Sequence, residues 1–323
     1  MSMGTELVVS MAMETPGIML NKQLLNPDDQ CPSSSGTLAM SSSSTVRPMT
    51  QATNPQLTAS VYVKDSPLWA LNIMNGTNMS FDSITCNSTA VNAPYGTNWV
   101  QNTDGFDTMD AKNIRLTNMY YQGGDDCIAI KPRSYNIFVQ NITCHGGNGI
   151  AIGSLGQYLE DSSVENVIVK DAKIISYNKD MHNSAYIKTW IGAQVPQSGY
   201  ESAGLPRGGG WGVVRNILFE NFHIEGAAIG PNINQDSGNN GSFGGSSKME
   251  ISNVAFVNFE GYMEGAKGNR TAVVSCSKVN PCFNISLEGM KLASSRNVSE
   301  VGAQGTCTYV AEGSVRGLNG AGC

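Results

Sequence analysis

One short pattern recurs six times along this chain: an asparagine, an alternating apolar run, a second Asn or Asp, then another short alternating run. It reads Asn78-Met-Ser-Phe-Asp-Ser-Ile, Asn113-Ile-Arg-Leu-Thr-Asn-Met, Asn136-Ile-Phe-Val-Gln-Asn-Ile, Asn166-Val-Ile-Val-Lys-Asp-Ala, Asn216-Ile-Leu-Phe-Glu-Asn-Phe and Asn253-Val-Ala-Phe-Val-Asn-Phe. The leading asparagines lie 35, 23, 30, 50 and 37 residues apart, so a unit near 23 residues is interrupted by insertions of varying length. Period-two alternation signals strand, Asn suits the turns, and no helical periodicity intervenes. Stacked repeats of this size predict an all-β right-handed parallel β-helix. An antiparallel sandwich also has strands at regular spacing, but it does not repeat one strand-turn-strand signature.

The chemistry concentrates in two segments, Asn102-Thr-Asp-Gly-Phe-Asp107 and Gly123-Gly-Asp-Asp-Cys127. Glycines beside Asp104, Asp125 and Asp126 predict sharp turns that expose three carboxylates. Asp104 to Asp125 is 21 residues and Asp125 to Asn148 is 23, so these three are expected to stack on one face of successive coils, about 4.8 Å apart. Crowded carboxylates cannot all ionise freely, and one that keeps its proton beside ionised partners is what glycosidic-bond hydrolysis requires. The same residues could instead cap Gly-rich corners or ligate calcium. Lys131, Arg133, Lys188 and Arg207 lie in the same segments, and at least one is expected to contact a polyanionic sugar. The longest insertion, between Tyr186 and Val213, contains Tyr200, Pro206, Arg207, Gly208 to Gly210 and Trp211; it suits either a sugar subsite or a plain surface loop.

Composition narrows the class. Only 14% of the 323 residues are charged and the net charge is −6, which argues against a nucleic-acid partner. No apolar run approaches a membrane-spanning length. Eight cysteines and Asn-X-Ser/Thr sequons at Asn75, Asn78, Asn87, Asn141, Asn240, Asn269, Asn284 and Asn297 point to a secreted glycoprotein, read here as an extracellular monomer. Cys276 with Cys282, and Cys307 with Cys323, read as disulfides, because no CxxC or His partner accompanies them. No metal and no cofactor is expected. Residues 1 to 20 carry Glu6 and Glu14 without a basic n-region and do not read as a signal peptide. With the low-complexity stretch from Ser33 to Ser44, they make 1–59 an atypical, poorly ordered segment ahead of a catalytic β-helix over 60–323.

The motifs Asn102-Thr-Asp-Gly105, Gly124-Asp-Asp126, Gly149-Ile-Ala-Ile-Gly-Ser-Leu-Gly156 and Ile187-Lys188, in this order, resemble glycoside hydrolase family 28, the pectin-degrading polygalacturonases. The resemblance covers roughly residues 60 to 323. It implies hydrolysis of α-1,4-galacturonosyl bonds with inversion. Asp125 would be the general acid, Asp104 and Asp126 would activate water, and Cys127 would pair with Cys144. Lys188 would bind a galacturonate carboxylate, free of any internal ion-pair partner. Carboxylates one coil apart, about 5 Å, would by separation alone suggest retention; the resemblance implies inversion. Two positions depart from the family pattern. Asn148 stands where polygalacturonases have the histidine of Gly-His-Gly, with His145 three residues earlier, and Tyr186 stands where they have the arginine of Arg-Ile-Lys. Asn148, His145 and Tyr186 join Lys188 as expected substrate-binding residues. The strings Tyr-Ile-Lys-Thr-Trp and Gly-Ser-Leu-Gly-Gln-Tyr look like fungal exopolygalacturonases (galacturan 1,4-alpha-galacturonidases), which remove galacturonate from the non-reducing end of polygalacturonate. Alternatives are action on rhamnogalacturonan or xylogalacturonan, a calcium-dependent pectate lyase on the same fold, or an inactive carbohydrate-binding paralogue. The last arises because family members usually carry further coils and a capping helix before this point, so the chain reads as N-terminally truncated.

Overall fold

A computed structural model describes residues 60–89, 102–177, 181–196, 206–239, 243–264 and 270–323, together with the backbone of three short strands, Ile18–Met19, Thr37–Met40 and Gln56–Leu57. The rest of the atypical segment 1–59 lies outside the described residues, as do Tyr200, Asn240 and Asn269. Among the described residues the strands form two sheets, of 10 and 12 strands, and each sheet adds its next strand in sequence order. From Val61–Lys64 onward the successive ladders are parallel. Parallel strands joined by coil after coil wind in the right-handed sense, giving the right-handed parallel β-helix that the repeats predict.

The strands of the larger sheet are long because they turn corners without leaving it. Pairing between Ser134–Gly146 and Val164–Ile175 skips Asn136 and Asn141, where φ is 57° and 59°. An L-residue enters that left-handed region at a penalty that Asn bears best, because its short amide bonds locally. Here each amide also bonds to the next coil. Asn113 donates to Asn78, Asn136 to Asn113, Asn166 to Asn136, Asn216 to Asn166, Asn253 to Asn216 and Asn284 to Asn253, at 2.7 to 3.4 Å. The second Asn or Asp of the repeat builds a similar row, with Asn118 on Asp82, Asn141 on Asn118, Asn221 on Asp171 and Asn258 on Asn221. Three of the sequon asparagines, Asn78, Asn141 and Asn284, are therefore members of these rows.

Between the corners, alternate side chains point inward and stack on their equivalents. Leu116, Val139, Val169, Phe219, Phe256 and Leu287 form one such buried column. The Phe219 and Phe256 rings stack at 5.3 Å between centroids, and Phe222 and Phe259 at 4.6 Å. Disulfides join Cys127 to Cys144, Cys276 to Cys282 and Cys307 to Cys323; Cys86 is buried and reduced, and Cys31 lies outside the described residues. The corners can be tested directly. Asn216 has φ 59°, so Asn216→Ala is expected to lower unfolding free energy by about 1–3 kcal/mol, and Asn216→Gly by less, since glycine adopts this φ freely. Equal losses in urea titration would show that the amide row, and not the backbone, sets the penalty.

Candidate active site

The smaller sheet places the carboxylates. Phe106, Ile128, Ile150 and Ala185 are in register on successive coils. Two residues before each stand Asp104, Asp126, Asn148 and Asn183. The in-register stack is thus Asp104, Asp126 and Asn148, and Asp125 sits one residue out of it, correcting the expected stack of Asp104, Asp125 and Asn148. A second correction concerns the glycines. Asp104 and Asp126 are 3% and 1% exposed, so their carboxylates are buried against the coil. A Cβ on Gly105 would lie 2.6 Å from both the Cys127 carbonyl oxygen and the Tyr121 ring, and one on Gly147, at φ +72°, would lie 2.0 Å from the Asp125 carbonyl oxygen. These glycines let coils approach closely; they do not push acids into solvent.

Four carboxylates meet two ammonium groups. Lys131 Nζ lies 3.2 Å from Asp104 Oδ2 and 3.3 Å from Asp107 Oδ2. Lys188 Nζ lies 3.1 Å from Asp126 Oδ2 and donates to the Tyr186 hydroxyl at 3.2 Å. That hydroxyl in turn donates to Asp126 Oδ1. Asp125 has no ammonium within ion-pair distance among the described residues. Its carboxylate accepts from neutral donors instead: the Asn102 N–H at 2.6 Å, the Asp126 N–H at 2.8 Å and the Asn148 amide at 2.9 Å. Burial raises Asp125 above the usual carboxylate range, helped by the charge of Asp126 and opposed by the Asn102 N–H. Burial likewise raises Asp104, reinforced by Asp107, and carries Asp107 to about 7 despite Lys131. Burial alone would lower Lys188, yet Asp126 and Asp125 hold it above the ordinary lysine value.

Side-chain size explains how Tyr186 reaches the acids. Asp107, Ala129, Ala151 and Tyr186 form one row across the strands, and the two alanines pack with the buried Tyr186. Methyl groups in the intervening coils leave room for the ring, whose hydroxyl then meets Asp126 two coils back. One position on, Lys131, Gly153 and Lys188 follow the registered Ile130, Ile152 and Ile187. A side chain at Gly153 would collide with the Lys188 backbone and stem.

The structure brings together Asp104, Asp125, Asp126, Asn148, Tyr186 and Lys188. It places His145 with other partners: Nδ1 lies 3.1 Å from both the Tyr120 hydroxyl and Gln122 Oε1, and the ring meets Tyr177 edge-on. Arg133 pairs with Asp110 and Glu160, and Arg207 lies over the Tyr158 ring at the stem of the long insertion, where it bridges to Val195. Trp211 opens the strand Trp211–Ala227 and is not part of that loop. The expectation that Lys188 lacks an internal partner is overturned by Asp126. Sequence reasoning missed Asp107 and the pairing of Lys131. The available signal was an acid inside the apolar alternation of strand Phe106–Met109. Among the described residues no group of three or more His, Cys, Asp or Glu side chains is placed to hold a metal ion.

The family model of glycosyl hydrolases family 28 matches residues 40–315. The protein named "Putative galacturan 1,4-alpha-galacturonidase C" of Aspergillus niger is 66% identical over 261 residues, which is 81% of this chain and 61% of that protein. "Exopolygalacturonase X-1" of Emericella nidulans is 34% identical over 254 residues, 76% of this chain and 54% of the relative. The chain thus spans less than two thirds of the length of either. The crystal structure of endo-xylogalacturonan hydrolase from Aspergillus tubingensis shares the fold, with TM-score 0.59 and 21% identity over 76% of this chain and 60% of that one.

Proposed function

The chain belongs to glycosyl hydrolases family 28, and on that premise we propose that it removes terminal α-1,4-linked galacturonate from the non-reducing end of polygalacturonate by inverting hydrolysis. The observation that carries the division of labour is the distribution of lysines. Lys131 stands within ion-pair distance of Asp104 and Lys188 of Asp126, so each has a counter-charge beside it, although burial still raises Asp104. Asp125 has neutral donors in place of an ion-pair partner among the described residues, and this geometry, not burial, which raises Asp104 as well, sets it apart as the proton donor. Asp125 is therefore the general acid that protonates the leaving glycosidic oxygen, while Asp104 and Asp126 take the proton of the attacking water. The register offset supports this, since the proposed acid stands outside the stack formed by the two bases.

Lys188 keeps one of its three donors after Asp126 and Tyr186 take the other two. We assign that donor to a galacturonate carboxylate, with Tyr186 and Asn148 shaping the site around it. The names of the 66% and 34% identical relatives support exo action on galacturonan. The substrate partner is then pectic polysaccharide, met outside the cell.

Product analysis tests the reading. Polygalacturonate is expected to yield galacturonate monomer from the first time points, and proton NMR of fresh product is expected to show the β-anomer. An early ladder of oligogalacturonides would replace exo by endo action. Initial α-anomer would replace inversion by retention. Activity should fall as pH rises through the raised pKa of Asp125, because the acid form is then lost.

A further inference from the structure

Lys131 occupies a built environment that neither the family motifs nor the expected substrate contacts account for. Its ammonium lies between Asp104 and Asp107, at 3.2 and 3.3 Å, and over the Trp69 ring at 4.4 Å. Only 13% of its side chain is accessible. Asp107 is fully buried, and apart from the ammonium neither of its oxygens has a hydrogen-bond partner. A carboxylate so placed is tolerated only through its cation or by keeping a proton. Two acids on one coil therefore compete for one positive charge supplied from the next coil.

We propose that Lys131 is a positioning residue for Asp104: its ammonium, anchored by Asp107 and covered by Trp69, holds the buried Asp104 carboxyl in place and favours its ionised form against burial. This rests on the reading of Asp104 as a water-activating base. The side chain is too enclosed to serve as the substrate contact expected from sequence. Asp107 is the counterweight that sets how much of the ammonium Asp104 receives. The other charged groups bearing on Asp104 are Asp125 and Asp126 from the next turn, and all of them oppose its ionisation; Lys131 is the cation that favours it.

The two partners push Asp104 in opposite directions, which a packing role would not do. Carboxyl-carbon NMR titration of the full chain, with the Asp104 signal assigned by its loss in Asp104→Asn, reads this without requiring catalysis. Lys131→Met is expected to raise the Asp104 midpoint by about one pH unit or more, and Asp107→Asn to lower it by a similar amount. The acid limb of the kcat/KM profile should move with each midpoint, upward for Lys131→Met and downward for Asp107→Asn. Circular dichroism melts identify any variant that fails to fold, and Lys131→Arg, which keeps the charge, should hold the midpoint near the parent value. An unchanged midpoint in Lys131→Met, or shifts of the same sign in both variants, overturns the proposal. Should the parent chain release no galacturonate, the functional reading fails by itself, and the NMR shifts still decide the role of Lys131.

Discussion

Asp125→Asn is expected to lower kcat on polygalacturonate about 10²–10⁴-fold while leaving KM near the parent value. The amide preserves the shape of the side chain but has no acidic proton to give. The surrounding donors make the substitution informative in a second way. Asp125 Oδ1 accepts from Asp126 N–H and Asn148, and Oδ2 accepts from Asn102 N–H. An asparagine amide can satisfy one side only and turns an NH2 toward a donor on the other, so stability should drop by about 1–3 kcal/mol. Activated substrates separate the two effects. A galacturonide with a good leaving group needs little protonation, so its rate should be far less affected than that of the polymer. A kcat within tenfold of the parent on the polymer would remove Asp125 from the acid role.

The architecture was legible because the same residues that repeat in sequence make the structural corners. The first Asn and the second Asn or Asp of each copy became the two side-chain rows, and the alternating apolar positions became the stacked columns. The disulfides followed equally well, two from spacing and Cys127 with Cys144 from the family resemblance. The site was legible in its members and less so in its arrangement. Spacing in residues does not say where a turn tightens, so Asp125 and Asp126 could not be told apart as stack members until the strand register was known. Ion pairing was hidden for a related reason. Lys131 and Asp104 are 27 residues apart, and Lys188 and Asp126 are 62 apart. Both meet because lysines at one register position reach back toward acids at the other end of strands one coil earlier, for Lys131, or two, for Lys188. His145 shows the converse, since nearness in sequence to Asn148 did not bring it into the acid cluster: it sits on the outer face with Tyr120, Gln122 and Tyr177.

Lys188→Ala is expected to change stability and catalysis together. A lysine acting only as a substrate anchor would raise KM and leave the melting temperature alone. Here the ammonium is also the counter-charge of Asp126, a side chain that is 2% exposed. Removing one member of a buried ion pair is destabilising by about 3–5 kcal/mol, because the other charge remains without compensation. A quarter of the Lys188 side chain reaches solvent, and the Tyr186 hydroxyl still donates to Asp126, so the lower end applies. A loss of about 3 kcal/mol corresponds to a melting temperature lower by roughly 5–10 °C. Activity should fall through both kcat and KM, since one base loses its partner and the substrate loses a donor. The double variant decides the cause. If the unpaired carboxylate is responsible, adding Asp126→Asn to Lys188→Ala restores most of the lost stability, while activity stays low because the base is gone. Should the double variant melt no higher than Lys188→Ala, the lysine stabilises the coil through its stem packed on Gly153, and not through its pairing with Asp126.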